Sequence, residues 1–367
     1  MSEHLLQQIA LTLLPNVGDI TAKKLISYCG GVNAVFKETR VNLLKIPGIS
    51  NVVIEAVMHN KEVFRRAEEE MRFIEKYALK TLFYLDKEYP LRLKQCMDNP
   101  ILLYTKGDAR INNSKVLSVV GTRSATEYGK QLCHELIRDL APLDVLIVSG
   151  LAYGIDSAAH KAALDSSLET VSVLGHGLDR IYPAQNRPLA EKILTNGCLL
   201  TEFLSKTKPD RENFPQRNRI VAGMADAVIV VEAGRKGGAL ITAEIANSYN
   251  RDVFAFPGKV NDTFSIGCNY LIKTNRAALV ESAQDVMYSM GWDVQQSKTP
   301  KQRSMFIVLT PEEQSIVDLL NEQTEMGIDE VCISSGLLPG KAAEALLNLE
   351  FEDVLRCLPG KRYTLYR

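Results

Sequence analysis

From residue 116 onward, short unbroken apolar runs take turns with stretches of helical period. The runs at 116–120, 145–148, 171–174, 228–231 and 253–256 lead to glycines at 121, 150, 175, 234 and 258, and 198–202 is a run of the same kind whose apolar part is short. Runs without polar alternation predict strands covered on both faces, as in a parallel sheet between two helical layers. Helical patterns lie between them at 126–140, 155–164 and 240–249. This alternation predicts a Rossmann-like, doubly wound, mainly parallel α/β sheet. The carboxyl ends of such strands share one rim, where ligands bind, and the glycines fall along it.

Before residue 80 the pattern is helical throughout. Leu14-Pro15-Asn16-Val17-Gly18-Asp19 and Ile46-Pro47-Gly48-Ile49-Ser50 resemble helix-hairpin-helix turns. Such turns present backbone N–H groups at a helix N-terminus as an anion site. Asn16 and Ser50 stand where a complete hairpin has glycine, which impedes close phosphate approach. Residues 1–80 are therefore expected to be a helical (helix-hairpin-helix or SAM-like) domain for packing or self-association. The charges of 61–76 are expected on a solvated helix face. Residues 81–292 comprise the α/β domain and its lead-in, with 101–104 as a candidate edge strand. A polar linker with Pro300 follows at 293–304. Three helices and a two-stranded wing make 305–367 a winged helix. Its would-be recognition helix sets Lys341 against Glu344, Glu350, Glu352 and Asp353. Phosphates repel such a face, so its expected role is a protein interface.

Composition narrows the reading. The 367 residues are 46% hydrophobic and 24% charged, as in a globular chain. A net charge of −1 puts any nucleic-acid affinity in a local basic patch rather than in the overall field. Seven cysteines without a CxxC pair and five scattered histidines suggest neither a disulfide framework nor a metal site. No cofactor is expected. No apolar run approaches the roughly 18 residues of a membrane span, and the first residues lack a basic leader. A soluble cytoplasmic protein without a membrane partner is expected.

Candidate chemistry gathers on the rim. Gly121-Thr122-Arg123 closes the first strand, and the planar fork of an arginine engages two phosphate oxygens at once. Ser149-Gly150 closes the second, and Gly150 and Gly154 bracket a helix start that can leave N–H groups pointing outward. Asp156 and His160, four apart, can pair structurally on one helix face. Lys161 faces away from the buried stripe and can reach back to the rim. In 214–224, Arg217 shares its side with Ile220, Val221 and Met224, and Arg219 with Ala222 and Gly223. At least one of these arginines leaves water and needs an anion, either a phosphate or an internal acid such as Glu202 or Glu232. Gly237-Gly238-Ala239 opens the next helix behind Arg235 and Lys236. Neither GxxxxGK[ST] nor GxGxxG occurs, which argues against a P-loop or a dinucleotide fold.

The order of motifs is more specific than any one of them. Val-Gly-Thr-Arg at 120–123, Ser-Gly-Leu-Ala-Tyr-Gly-Ile-Asp at 149–156, Ala-His at 159–160, Gly-Leu-Asp at 177–179 and Tyr-Pro at 182–183 come first. Asn-Phe-Pro at 213–215, Arg-Asn-Arg at 217–219, Leu-Ile-Thr-Ala at 240–243 and Phe-Pro-Gly at 256–258 follow. The series resembles the DprA (Smf) family of DNA-processing proteins. The resemblance implies a non-enzymatic protein that binds and protects single-stranded DNA and helps load the RecA recombinase during natural transformation. It also implies a homodimer formed through the α/β domain. Carried onto matching positions, it implies a DNA site at Gly121, Thr122, Arg123, Ser149, Gly150, Lys161, Arg217, Asn218 and Arg219, with the loop 237–239. Where the family commonly has Ser-Gly-Ser, this chain has Gly237-Gly238-Ala239, leaving backbone donors with Lys236 beside them. Tyr153 and Phe214 are the candidate platforms for bases. The alternative is an enzyme. Nucleoside-monophosphate phosphoribohydrolases of a related α/β fold use a PGGxGTxxE loop, of which Gly237-Gly238 and Glu244 keep part of the spacing. No second carboxylate stands nearby in an acid–base arrangement.

Overall fold

The unbroken apolar runs form the middle of one nine-stranded sheet. The computed structural model describes residues 3–292, 309–323, 325–352, 354–358 and 362–365. Its sheet contains β1 (Lys80–Phe83), β2 (Leu102–Gly107), β3 (Val116–Val120), β4 (Leu146–Ser149) and β5 (Thr170–Val173). It continues with β6 (Gly197–Thr201), β7 (Ala227–Val230), β8 (Asp252–Ala255) and β9 (Ala278–Leu279), in the order β1-β2-β6-β5-β4-β3-β7-β8-β9. Every residue of β3 to β7 is buried, which is why these segments carry no polar face. The strands from β6 to β9 in that order are parallel, with Leu117 opposite Ala227 and Val148 opposite Val171. The chain lays β4, β5 and β6 on one side of β3, then crosses to β7 on the other. The sheet therefore switches its direction of growth between β3 and β7, where crevices open in such folds.

Two helical layers cover it. Ile220, Val221, Ala243 and Leu271 pack on one face, and Cys133, Ile137, Ala159 and Val286 on the other. Each such burial of a large aliphatic side chain contributes about 1.5–3 kcal/mol. The segment 101–104 is not an edge strand. β2 lies antiparallel between β6 and β1, and the true edge is β1, whose pattern is too short and too exposed to stand out in sequence.

Residues 3–78 are helical, and their core of Ile9, Leu11, Leu25, Ile54 and Met71 runs on into Phe83, Leu102 and Tyr104. Asn16 takes φ +61° in the first hairpin turn, and Ser50 caps the Asn51–Met58 helix. The Lys61–Lys76 helix is not wholly solvated along its charges. Glu70 is 1% exposed, pairs with Arg66 at 2.8 Å and accepts from Ser205 N and Oγ at 2.9 and 2.6 Å.

Contacts divide the chain into two units, Met1–Val294 and Gln295–Arg367. In the second, helices Pro311–Glu322, Ile328–Ser335 and Pro339–Phe351 enclose Ile316, Leu320, Val331 and Leu346. Thr310 and Glu313 form a capping box at the first helix. Leu355–Leu358 and Arg362–Leu365 form the wing, joined by Met326–Gly327 as a third strand. The expected linker and Asp353 lie outside the described residues. Among the described residues no helix is long and apolar enough to cross a membrane, and no group of three or more side chains could hold a metal ion.

Candidate nucleic-acid interface

Where the sheet switches direction, the ends of β3, β4 and β7 leave a cleft of about 400 Å³. Gly121, Thr122 and Arg123 come to it from β3, Gly150 from β4, and Gly234 with Lys236, Gly237, Gly238 and Ala239 from β7. The Asn213–Met224 helix adds Phe214, Arg217 and Asn218. That helix is pressed on the sheet by Ile220 and Val221, and Ser118 Oγ donates to the Val221 carbonyl at 2.6 Å. Gly154, at φ +75°, starts the Ile155–Asp165 helix so close to the first junction that a methyl group there would run into the Thr122 carbonyl. A methyl on Gly150 would meet the Arg217 guanidinium.

Arg217 belongs to the wall. It is 5% exposed, and its Nη1 donates to the carbonyls of Gly150 and Val173, both at 2.7 Å. Its Nε donates to Asn218 Oδ1 at 3.1 Å, and Asn218 Nδ2 donates in turn to the Gly238 carbonyl at 3.3 Å. Burial pushes the neighbouring Asp156 carboxyl above its ordinary range, against the pull of Arg217 and then Arg123.

The free donors lie further out. Arg123 is exposed, makes no ion pair among the described residues and sits over the Phe214 ring, 5.1 Å from its centroid. Such contacts are favourable while leaving the guanidinium N–H groups available. Lys236 is also exposed and without an ion pair among the described residues. Gly238 opens the Gly238–Ser248 helix, whose first N–H groups have no partner within the helix and suit an anion. A side pocket of about 70 Å³ shares Arg123 and Arg217 with the cleft and adds Tyr153, His176 and Tyr182. The Tyr182 and Phe214 rings are 6.0 Å apart. Cation, bare amides and aromatic rings thus meet within one depression, a combination that suits a phosphate with a base beside it. His176 carried no separate signal in the sequence, and Tyr182 only that of the Tyr-Pro pair in the motif series.

Three expected members sit elsewhere. The Ser149 hydroxyl is buried and donates to the Val119 carbonyl at 2.6 Å, tying two strands together. Lys161 lies outside the cleft, in a groove between the Glu127–Leu140 and Ile155–Asp165 helices. Arg219 does not join Arg123. Two residues along a helix is about 200° around it, so Arg219 leaves on the opposite side from Arg217. It meets Glu202, Asp19 at 3.1 Å and the Asp98 carbonyl. The internal-acid alternative is the one realised for Arg219, through Glu202. Asp156 and His160 are not hydrogen-bonded to each other. His160 Nδ1 is instead 2.8 Å from Thr170 Oγ1, and burial drives the ring down to about 3. Glu244, the acid of the enzyme alternative, is outside the cleft and pairs with Arg276 at 2.9 Å.

The segment from Glu202 to Arg219 is also held by the N-terminal helices. Arg66 donates to the Ser205 carbonyl at 2.6 Å, and Lys206 pairs with Glu69 at 2.9 Å. Asp19, which holds Arg219, accepts from Ile101 N at 2.9 Å. Burial pushes the Glu202 carboxyl from its ordinary 4.5 up to about 7, against the pull of Arg219. The folded state then holds this proton more tightly than the unfolded chain. Its stabilisation is full below about pH 4.5 and is lost as pH rises through about 7. Glu202→Gln is expected to flatten this fall: between about pH 5 and pH 8 its stability should gain on the wild type by on the order of 2 kcal/mol. Denaturant melts at both pH values check it, and parallel wild-type and variant profiles would mean that Glu202 stays ionised throughout.

The family model for DNA recombination-mediator protein A matches residues 80–291, and that for the DprA winged helix domain matches 299–361. The putative DNA processing protein DprA of Mycobacterium tuberculosis is 39% identical over 273 residues, covering 74% of this chain and 70% of the relative. The X-ray structure of DprA from Streptococcus pneumoniae superposes with a TM-score of 0.66 at 33% identity, over 78% of this chain and 98% of that one. DNA processing protein A from Helicobacter pylori, studied for its single-stranded DNA binding mode, gives 0.54 at 30% identity, over 59% and 97%. A doubly wound sheet with this cleft, followed by a winged helix and matched over both, places the chain in the DprA family of DNA-processing proteins.

Proposed function

We propose that the protein binds single-stranded DNA in the cleft at the β3–β7 switch, protects it, and as a homodimer helps load it onto the RecA recombinase. The observation that carries the binding step is the meeting of Arg123 and Lys236, without an ion pair among the described residues, with the amide end of the Gly238–Ser248 helix, beside the Phe214 and Tyr182 rings. These groups read a phosphate and a base face, which every nucleotide offers, so affinity is sequence-tolerant. The relative from Helicobacter pylori supports the choice of ligand. The second unit carries Leu347 and Phe351 exposed on its third helix among acids, which suits a protein partner better than a phosphate backbone.

A salt titration of binding to single- and double-stranded oligonucleotides tests the reading. Single strands are expected to bind more tightly, with log K falling by about 0.7 per log unit of salt for each phosphate held. Equal affinity for duplex, or binding indifferent to salt, would overturn it. Release of free base from nucleoside monophosphates would favour the hydrolase alternative.

A further inference from the structure

The cleft is smaller than its proposed ligand. Its volume of about 400 Å³ is that of a small-molecule pocket, whereas single-strand binders engage on the order of 4–16 nucleotides per site. A bound strand must therefore leave along the surface, and two further depressions bear on the route. Behind the Asn213–Met224 helix, one of about 490 Å³ sets Asp19, Asp98 and Glu202 against Arg219, which is already paired. With Arg219 taken up by these internal partners, that wall offers a phosphate no free cation among its lining residues. The other, of about 400 Å³, runs between the Glu127–Leu140 and Ile155–Asp165 helices and sets Lys130, His134 and Lys161 against Asp165.

The second groove is connected to the cleft. Tyr153 lines both it and the aromatic side pocket, and Arg123 lines both that pocket and the cleft. The Tyr153 hydroxyl donates to Gln185 Oε1 at 2.5 Å, which holds the ring at the crossing. Lys161 is exposed and makes no ion pair among the described residues. Lys130 is paired with Glu127 at 2.6 Å, but that carboxylate side chain is 90% exposed, and such surface pairs exchange readily for another anion.

We propose that this groove is the exit track of the bound strand, with Tyr153 under a base at the crossing and Lys161 and Lys130 on the phosphates beyond. The inference rests on the cleft being the single-strand site, and oligonucleotide length separates the two claims. Anisotropy titrations would use labelled oligothymidylates of about 4 and about 20 nucleotides. The double variant Lys130→Ala/Lys161→Ala is expected to weaken the long oligonucleotide roughly 5- to 10-fold and to lower its salt slope by about 1, leaving the short one unchanged. An unchanged long oligonucleotide overturns the track, and so does an equal loss at both lengths. Arg123→Ala is the control, since it should weaken both lengths; if it weakens neither, the cleft itself is the wrong site.

Discussion

An Arg217→Ala variant is expected to lose about 3–5 kcal/mol of folding stability, because it removes two hydrogen bonds from a buried charged donor, each worth about 1.5–3 kcal/mol. The side chain is nearly inaccessible and satisfies two carbonyls that close β4 and β5. Removing it strands those carbonyls and takes away the nearest cation from Asp156, whose carboxyl burial already pushes upward. Chemical denaturation of the variant, and of a double variant that adds Asp156→Asn, makes the test quantitative. The double variant should recover part of the loss, because neutralising the acid removes the uncompensated charge. A single variant as stable as the wild type would show that the guanidinium is not part of the wall.

Arg123→Ala is expected to keep the fold and lose affinity for single-stranded DNA by about 10- to 100-fold, the range set by one charge-assisted contact of about 1.5–3 kcal/mol. The residue is exposed and, among the described residues, bonds to nothing that the fold needs, with the Phe214 ring beside it. The salt slope should fall by about 0.7 with it. Arg123→Lys separates charge from shape: it should keep most of the slope but not the full affinity, since an ammonium has no planar fork. Unchanged affinity and slope in Arg123→Ala would remove the residue from the site. Arg219→Ala belongs with the stability variants, because its partners are Glu202 and Asp19.

The parallel strands were legible because each must be apolar on both faces, a pattern that short strands share with little else. β1 was not, since an edge strand of four residues with an exposed end has no such constraint. The cleft was legible in part for the same reason. Glycines and cations after successive parallel strands must share one rim, and Arg123, Gly150 and the 236–239 loop do. The two arginines of the Asn213–Met224 helix show where sequence stops. Helical spacing says that a guanidinium is buried, not which carboxylate meets it. Glu202 was nameable from its place at the end of an apolar run, whereas Asp19 lies 200 residues away and only the fold brings it near. Glu70 was hidden likewise: in a run of alternating charges nothing marks the one acid that Ser205, 135 residues on, will bury.

Those two arginines also lock the helix between them against turning. One is anchored to the ends of β4 and β5, the other to acids on the far side, so a rotation about the helix axis that tightened one set of bonds would pull the other apart. Phe214 and Asn218, which ride on the same cylinder, are thereby kept at one azimuth before the proposed single strand arrives. The entropy of arranging that part of the grip is spent when the chain folds rather than when it meets its ligand.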